Sequence, residues 1–331
     1  MKGGMEAMTP RLAPVPSGSP TFLDAPRCHD VRALDADVAI IGVPFGTPYE
    51  LEYSTAASAA PRAIREQSMK YVPWYVTHYD FDFGGDLFGG RPVRIADCGD
   101  VAMAPGAWAE NAAATTTAIR EILRQGALPI VLGGEHSIPI PVMRAFDACG
   151  PMCVVQLDAH IDWRDDRDGV RDGLSSTMRR ASELPWVTGM AQIGIRGFGS
   201  AREAEFDAAR AYGSVIVGAE EVHRAGVGAV LSRVPDAPAY YITLDADGLD
   251  PSIAPGVWGP AFGGLTYFEA TNLLRGIAAK GRIVGFDFVE VIPSLDVQHT
   301  TSRLAARLIM NLLGAAARSG QFGRPAAGTG S

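Results

Sequence analysis

The sequence predicts an α/β domain of three layers, with a central, mainly parallel sheet of about eight strands between two layers of helices. Three observations predict it. Short apolar runs without polar alternation recur along the chain, as in strands buried on both faces. They alternate with helix-length stretches, the pattern of βα units. The chain has 331 residues, 47% of them hydrophobic, which is enough apolar material for a large core.

The strands are read at Val38–Val43, Val93–Ala96, Pro129–Leu132, Met152–Leu157, Ala191–Ile195, Ser214–Val217, Tyr240–Leu244 and Ile283–Val289. The helices are read at Ala60–Ser68, Trp108–Gln125, Ala201–Tyr212, Ala219–Ala225, Tyr267–Lys280 and Ser302–Ala316. Residues 1–35, rich in Pro, Gly and Ala without a clear period, read as an N-terminal arm placed at a subunit interface. Residues 36–318 form the folded domain and 319–331 a flexible tail.

Composition narrows the partners. The net charge is -8 and no long basic run occurs, so nucleic acid is excluded. No apolar stretch has the length of a membrane span, and the N-terminus lacks a basic-then-apolar signal, which points to the cytoplasm. The cysteines, Cys28, Cys98, Cys149 and Cys153, form neither a disulfide framework nor a zinc knuckle.

Four segments carry chemistry: VLGGEHS (131–137), VVQLDAHID (154–162), YITLDADGLDP (241–251) and FDFVEV (286–291). Each begins as an apolar strand and ends in ionisable groups, and in open α/β sheets ligands bind beyond the carboxyl ends of the strands. Asp158, His160 and Asp162 are two apart, which on an extended backbone puts all three on one face; Asp245 and Asp247 repeat the spacing. Several buried carboxylates repel one another unless protonated or neutralised by cations. With His136 beside them, the economical resolution is two metal ions, and mixed imidazole and carboxylate donors favour Mn, Fe, Co, Ni or Zn over Ca or Mg. Taken singly, each motif has an ordinary structural role, as a capping histidine, an N-cap or a turn. It is the set that points to a metal centre.

At these residues the sequence resembles the ureohydrolase (arginase and agmatinase) family, and agmatinases above all. GGEHS, DAHID, LDADGLDPSIAPGVWGPAFGG and FDFVEVIP follow the family's GG-(D/E)-H-S, DAHxD, D-x-D-x-x-DP and D-x-VEV-x-P motifs in order, and the likeness runs from about residue 36 to 315. The resemblance implies an arginase-like fold and two divalent cations, manganese first and nickel as the alternative. It implies one cation on His136, Asp158, Asp162 and Asp245, and another on Asp158, His160, Asp245 and Asp247, with Asp158 and Asp245 shared. Glu290 matches the glutamate that faces the guanidinium, and Asp162 would orient the attacking water. The implied reaction is hydrolysis of a guanidino carbon–nitrogen bond in a small cationic substrate, giving urea and an amine. The implied assembly is a homotrimer or homohexamer, with a hetero-oligomer with a homologue as the alternative.

One departure bears on the substrate. The family's loop histidine after DAHxD is missing, since no histidine occurs between His160 and His223. Leu174 or Ser175 falls near its place, depending on register; Ser175 and Ser176 read as substrate contacts, as does the bulky Trp163 after DAHID. Arg164, Arg167 and Arg171 could meet a substrate carboxylate, although the interleaved aspartates suit a solvated loop. The altered loop therefore favours a guanidino acid, guanidine, or an N-alkylated guanidine or biguanide turned over with nickel. The rival readings are a non-catalytic partner subunit of an active homologue and a one-zinc deacetylase on a related fold.

Overall fold

The computed structural model describes residues 10–47, 49–50, 55–198 and 201–322. The strands among them are β1 (Leu12–Ala13), β2 (Val38–Val43), β3 (Ile95–Val101), β4 (Leu128–Gly133), β5 (Met152–Leu157), β6 (Val187–Ile195), β7 (Val215–Gly218), β8 (Ala239–Asp245) and β9 (Arg282–Val289). They form one sheet in the order β1-β3-β2-β4-β9-β8-β5-β6-β7. Every pairing is parallel except that of β1 with β3. The expected α/β/α architecture is thus present, with one short antiparallel strand added at the edge.

β2, β4 and β5 are buried at every position, which is why they read as unbroken apolar runs. β3 extends well beyond the expected Val93–Ala96, through Asp97, Gly99 and Asp100. The acidic residues in this extension are neutralised by the buried Arg65. The Arg65 Nε and Nη2 donate to the two oxygens of Asp97 at 2.8 and 2.9 Å, and Nη1 donates to Asp100 at 2.6 Å.

The helices lie on both faces. α1 (Ala60–Ser68), α6 (Ala219–Ala225), α7 (Val227–Leu231), α8 (Tyr267–Lys280) and α9 (Thr300–Arg318) pack on the face of Ile40, Leu132, Leu157, Leu244 and Phe288. α2 (Trp108–Arg124), α3 (Pro139–Met143), α4 (Thr177–Ser182) and α5 (Glu203–Tyr212) cover the face of Ile41, Val131, Val154 and Tyr241. α3, α4 and α7 are too short to show a helical period, so the sequence did not reveal them. α8 starts at Thr266, whose hydroxyl accepts from the Glu269 N–H while Glu269 accepts from the Thr266 N–H, a reciprocal cap.

The described part of the arm is packed on the domain. Phe22 and Leu23 are buried in the core. The Phe22 N–H donates to Asp97 at 2.8 Å, and the Leu23 N–H donates to Ser68 at 2.8 Å. Residues 1–9 and the tail beyond 322 lie outside the described residues. No helix among the described residues is long and apolar enough to cross a membrane.

Candidate metal centre and active site

β4, β9, β8 and β5 are consecutive in the sheet, and their carboxyl ends carry the four chemical segments. Register fixes what meets what. Leu132, Phe288, Leu244 and Leu157 form one row across these strands and point into the core. Beyond that row Asp245 follows Leu244 and Asp158 follows Leu157, on the opposite face.

The expected common face for Asp158, His160 and Asp162 is not what brings them together. β5 ends at Leu157, the chain bends, and Asp162 adopts a left-handed φ of 45°. The bend wraps the segment around a point instead of running along a line. Asp245 and Asp247 are likewise separated by a tight turn over Ala246–Gly248. The wrapping demands close backbone approach: a Cβ on Gly248 would lie 2.7 Å from the Asp158 nitrogen.

Two overlapping donor groups result, His136–Asp158–Asp162 and Asp158–His160–Asp247, each with its donor atoms within 4.8 Å of one another. Asp158 belongs to both. The Nδ1 of His136 lies 3.0 Å from Asp158, 2.9 Å from Asp162 and 3.1 Å from Asp245. The Nδ1 of His160 lies 3.1 Å from Asp247 and 3.5 Å from Asp158. His136 is buried, whereas the side chain of His160 is 32% exposed and marks the open side.

The carboxylates are held by the backbone. Asp158 Oδ1 accepts from the His160 N–H at 2.6 Å, Asp245 Oδ1 from the Asp247 N–H at 2.8 Å, and Asp247 Oδ1 from the Ala159 N–H at 3.2 Å. Oδ2 of Asp158, Asp162 and Asp245 meets His136, and Oδ2 of Asp247 meets His160. Electrostatics reflects the crowding. Burial and the neighbouring Asp158 push the Asp162 carboxyl up to about 6. Burial opposes a charge on His160, yet Asp158 and Asp247 push it up to about 12.

A metal fits this donor set, and His136 shows why. Despite the three short distances, its Nδ1 has no hydrogen bond among the described residues. Its Nε2 lies 2.9 Å from the hydroxyl of Thr243, which itself donates to Asp287 at 2.6 Å. With its proton committed, the Thr243 oxygen accepts from Nε2–H, so Nδ1 is the ring nitrogen turned to the three carboxylates, which hold the His136 imidazole well above its ordinary value against the opposing effect of burial. Three carboxylates around one ring nitrogen call for positive charge at that point, which a proton supplies and a metal ion would supply in its place.

Beneath this centre runs a polar row that the motifs alone do not show. Asp287, Thr243, Gln156 and Gln192 are register partners on adjacent strands, two residues before the site and on its face. Gln156 Nε2 donates to Asp158 at 2.6 Å and to Asp162 at 3.2 Å. Its carbonyl oxygen accepts from Gln192 Nε2 at 2.6 Å, and Gln192 in turn accepts from the Ser214 hydroxyl at 2.9 Å. The signal was available as polar residues inside otherwise apolar buried strands, in VVQLD, YITLD and GFDFV.

Glu290 has a left-handed φ of 64°, and its Oε1 accepts from the His136 N–H at 2.9 Å. Non-glycine residues held there carry strain, and such strain gathers at functional sites. The loop after Asp162 returns at Thr177, whose hydroxyl donates to the His136 carbonyl. Ser176 is fully buried, and its hydroxyl has no partner among the described residues. The Ser175 N–H faces the Tyr49 hydroxyl at 3.3 Å, and the Arg167 guanidinium lies 4.4 Å over the Tyr49 ring. Trp163, expected at the substrate, is 2% exposed and sits in the core, its ring 5.6 Å from that of Tyr212. The left-handed turn at Asp162 is followed by a side chain directed inward, where its apolar area is buried.

Comparison with known proteins places the chain in a family. A sequence model of the arginase family matches residues 36–314. The chain belongs to the arginase family. It is 33% identical over 303 residues to a guanidinobutyrase of Pseudomonas aeruginosa, covering 89% of this chain and 92% of that protein. It is 33% identical over 306 residues to a mitochondrial agmatinase of Gallus gallus, covering 90% and 86%. The solved structure of proclavaminate amidino hydrolase from Streptomyces clavuligerus matches with a TM-score of 0.79 at 31% identity, covering 94% of this chain and all of that one. This arginase-family chain is accordingly a hydrolase of carbon–nitrogen bonds in guanidino compounds.

Proposed function

We propose that this arginase-family hydrolase uses two divalent cations, manganese first and nickel as the alternative, to split a short guanidino acid into urea and an amino acid. The observation that carries the metal chemistry is the buried His136 Nδ1 facing Asp158, Asp162 and Asp245, with His160 and Asp247 joined to it through the shared Asp158. In this reading His136, Asp158, Asp162 and Asp245 hold one ion, and Asp158, His160, Asp245 and Asp247 hold the other. When bound, the ions activate water at neutral pH and stabilise negative charge as it develops.

The protein's own groups do the rest. Glu290, fixed by the His136 N–H, pairs with guanidinium N–H groups and sets the carbon in reach of the water. Asp162 accepts a hydrogen bond from the water, orients it, and passes its proton toward the departing nitrogen. Water adds to the central carbon, the bond to the amine nitrogen breaks, and urea and amine leave.

Identity does not choose between an acidic and an amine substrate, because the guanidinobutyrase and the agmatinase stand equally close. What supports the acid is the loop. Arg171 and Arg180 pair with Asp165 at 3.2 and 2.5 Å. Arg167 instead lies over Tyr49, with the solvent-exposed Asp168 at 3.8 Å. Among the described residues, Arg167, with only this long ion pair to an exposed partner, would be the cation offered to a substrate carboxylate, on a segment that starts at Asp162 and returns to the His136 carbonyl through Thr177.

The test is turnover of 4-guanidinobutyrate, 3-guanidinopropionate, agmatine, arginine, guanidine and dimethylbiguanide by manganese-loaded and nickel-loaded protein, detecting urea and amine. A guanidino acid should dominate, and Arg167→Gln should raise its KM while sparing uncharged analogues. Preferred turnover of agmatine, guanidine or the biguanide would overturn the acid assignment and leave the reaction class intact. Two bound ions with no turnover would support a non-catalytic partner subunit. Failure to bind metal would overturn the metal centre.

A further inference from the structure

The cysteines fall outside the metal centre, and two of them meet. A parallel bridge joins Arg27 to Asp97. It is made by the Asp97 N–H donating to the Pro26 carbonyl at 2.9 Å and the Cys28 N–H donating to the Asp97 carbonyl at 2.8 Å. Cys28 and Cys98 are the next residues on each side. Successive side chains alternate across a sheet, so Asp97 faces Arg65 while both cysteines take the opposite face. There Cys98 is buried in the core, and the half-buried Cys28 packs against the same cluster. Paired strands lie about 4.7–4.9 Å apart, inside the roughly 4.4–6.8 Å Cα separation a disulfide tolerates.

We infer that Cys28 and Cys98 form a thiol-modification site, which takes a low-molecular-weight disulfide as reagent and closes into an intramolecular disulfide between the arm and β3. The chemistry balances. The Cys28 thiolate attacks one sulfur of the reagent, breaking its S–S bond and releasing one thiol. Cys98 gives up its proton, attacks Cys28 Sγ and releases the second thiol. Two protein thiols are oxidised and one reagent disulfide is reduced.

The microenvironments divide the roles. The Cys98 side chain, with the Asp30 backbone, holds the Cys28 thiol down to about 7, so a large share is thiolate at neutral pH. Burial pushes Cys153 up to about 12 and also raises Cys149, so these are poor entry points. The consequence is mechanical. β3 is covered on its outer edge only by the two residues of β1 and the Arg27 bridge, among the described residues. The disulfide would fasten this cover over an edge that otherwise offers unpaired backbone groups.

The experiment treats the full chain with glutathione disulfide, blocks remaining thiols, digests the protein and maps peptides by mass. Expected is a Cys28–Cys98 linked pair lighter by two hydrogen atoms than the separate peptides, reversed by dithiothreitol. Cys98→Ser should stop at a glutathione adduct on Cys28, and Cys28→Ser should leave Cys98 unmodified. The oxidised chain should melt higher by roughly 5 °C, and its arm should resist proteolysis. A stable glutathione adduct on Cys28 in the parent chain, without the link, would overturn the inference. So would faster labelling of Cys149 than of Cys28. No outcome depends on which compound the enzyme hydrolyses.

Discussion

Replacing Gln156 with leucine tests whether the polar row beneath the metal centre sets its affinity. Gln156 is fully buried, and leucine is similar in size, so packing is largely kept. What disappears is the pair of donations from Nε2, at 2.6 Å to Asp158 and 3.2 Å to Asp162, together with the acceptor for Gln192 Nε2, which keeps the Ile161 carbonyl as its partner. Hydrogen bonds to charged groups contribute about 1.5–3 kcal/mol each. The first has good geometry and the second is long, so a loss of about 2–4 kcal/mol in the ordering of the two carboxylates is expected. Substitutions behind metal ligands typically lower affinity about 10–100-fold, which is about 1.4–2.8 kcal/mol and agrees with that figure. The assay is a chelator competition titration with manganese, alongside hydrolysis kinetics at rising metal concentration. Gln156→Leu should bind metal about 10–100-fold more weakly and recover much of its turnover at excess metal, with an unchanged far-UV spectrum. Gln192→Leu, one step further from the ligands, should show a smaller effect. Unaltered metal affinity in Gln156→Leu, or a larger loss in Gln192→Leu, would refute the reasoning.

Other expectations follow from the same geometry. His136→Asn should lower the metal content by one ion per chain and remove most activity, whereas a one-metal deacetylase-like site would keep its ion; metal analysis of the purified variant decides. Glu290→Gln keeps the acceptor for the His136 N–H but removes the charge, and should reduce kcat/KM for guanidinium substrates by about 1.5–3 kcal/mol in steady-state assays. Asp97→Ala leaves the buried Arg65 without its bidentate partner and should destabilise the fold by about 3–5 kcal/mol, read as a shift in denaturant midpoint. His223 is raised by its hydrogen bond to Glu269 at 2.8 Å, in a partly exposed pair. Its folded value exceeds its unfolded value, so the pair's stabilisation, under about 1 kcal/mol, is complete below pH about 6.5. It fades as pH rises through the raised value. The stability difference between the parent chain and His223→Ala should therefore shrink from acidic to alkaline pH.

Much of this protein was determined by its sequence alone. β2 and β5 and helices α1, α6 and α8 have the limits read from the sequence, because continuous apolar runs and amphipathic periods are local properties. The acids and histidines that gather at the sheet's carboxyl ends were also legible, since such groups directly after buried strands are costly to bury unless they bind something. Tertiary structure decided what depends on distant partners. β3 runs through Asp97 because Arg65 on α1 meets it, an ion pair that no local window contains. Trp163 is buried in the core beside Tyr212, a neighbour 49 positions away in the chain that no local window contains. The row of Asp287, Thr243, Gln156 and Gln192 exists only once sheet order and register place four separate strands side by side. Each of these polar residues is ordinary in its own strand. Their hydrogen bonds to one another, to flanking groups such as Ser214 and Tyr241, and to the site above fix the orientation of a cluster of mutually repelling acids that could hold cations.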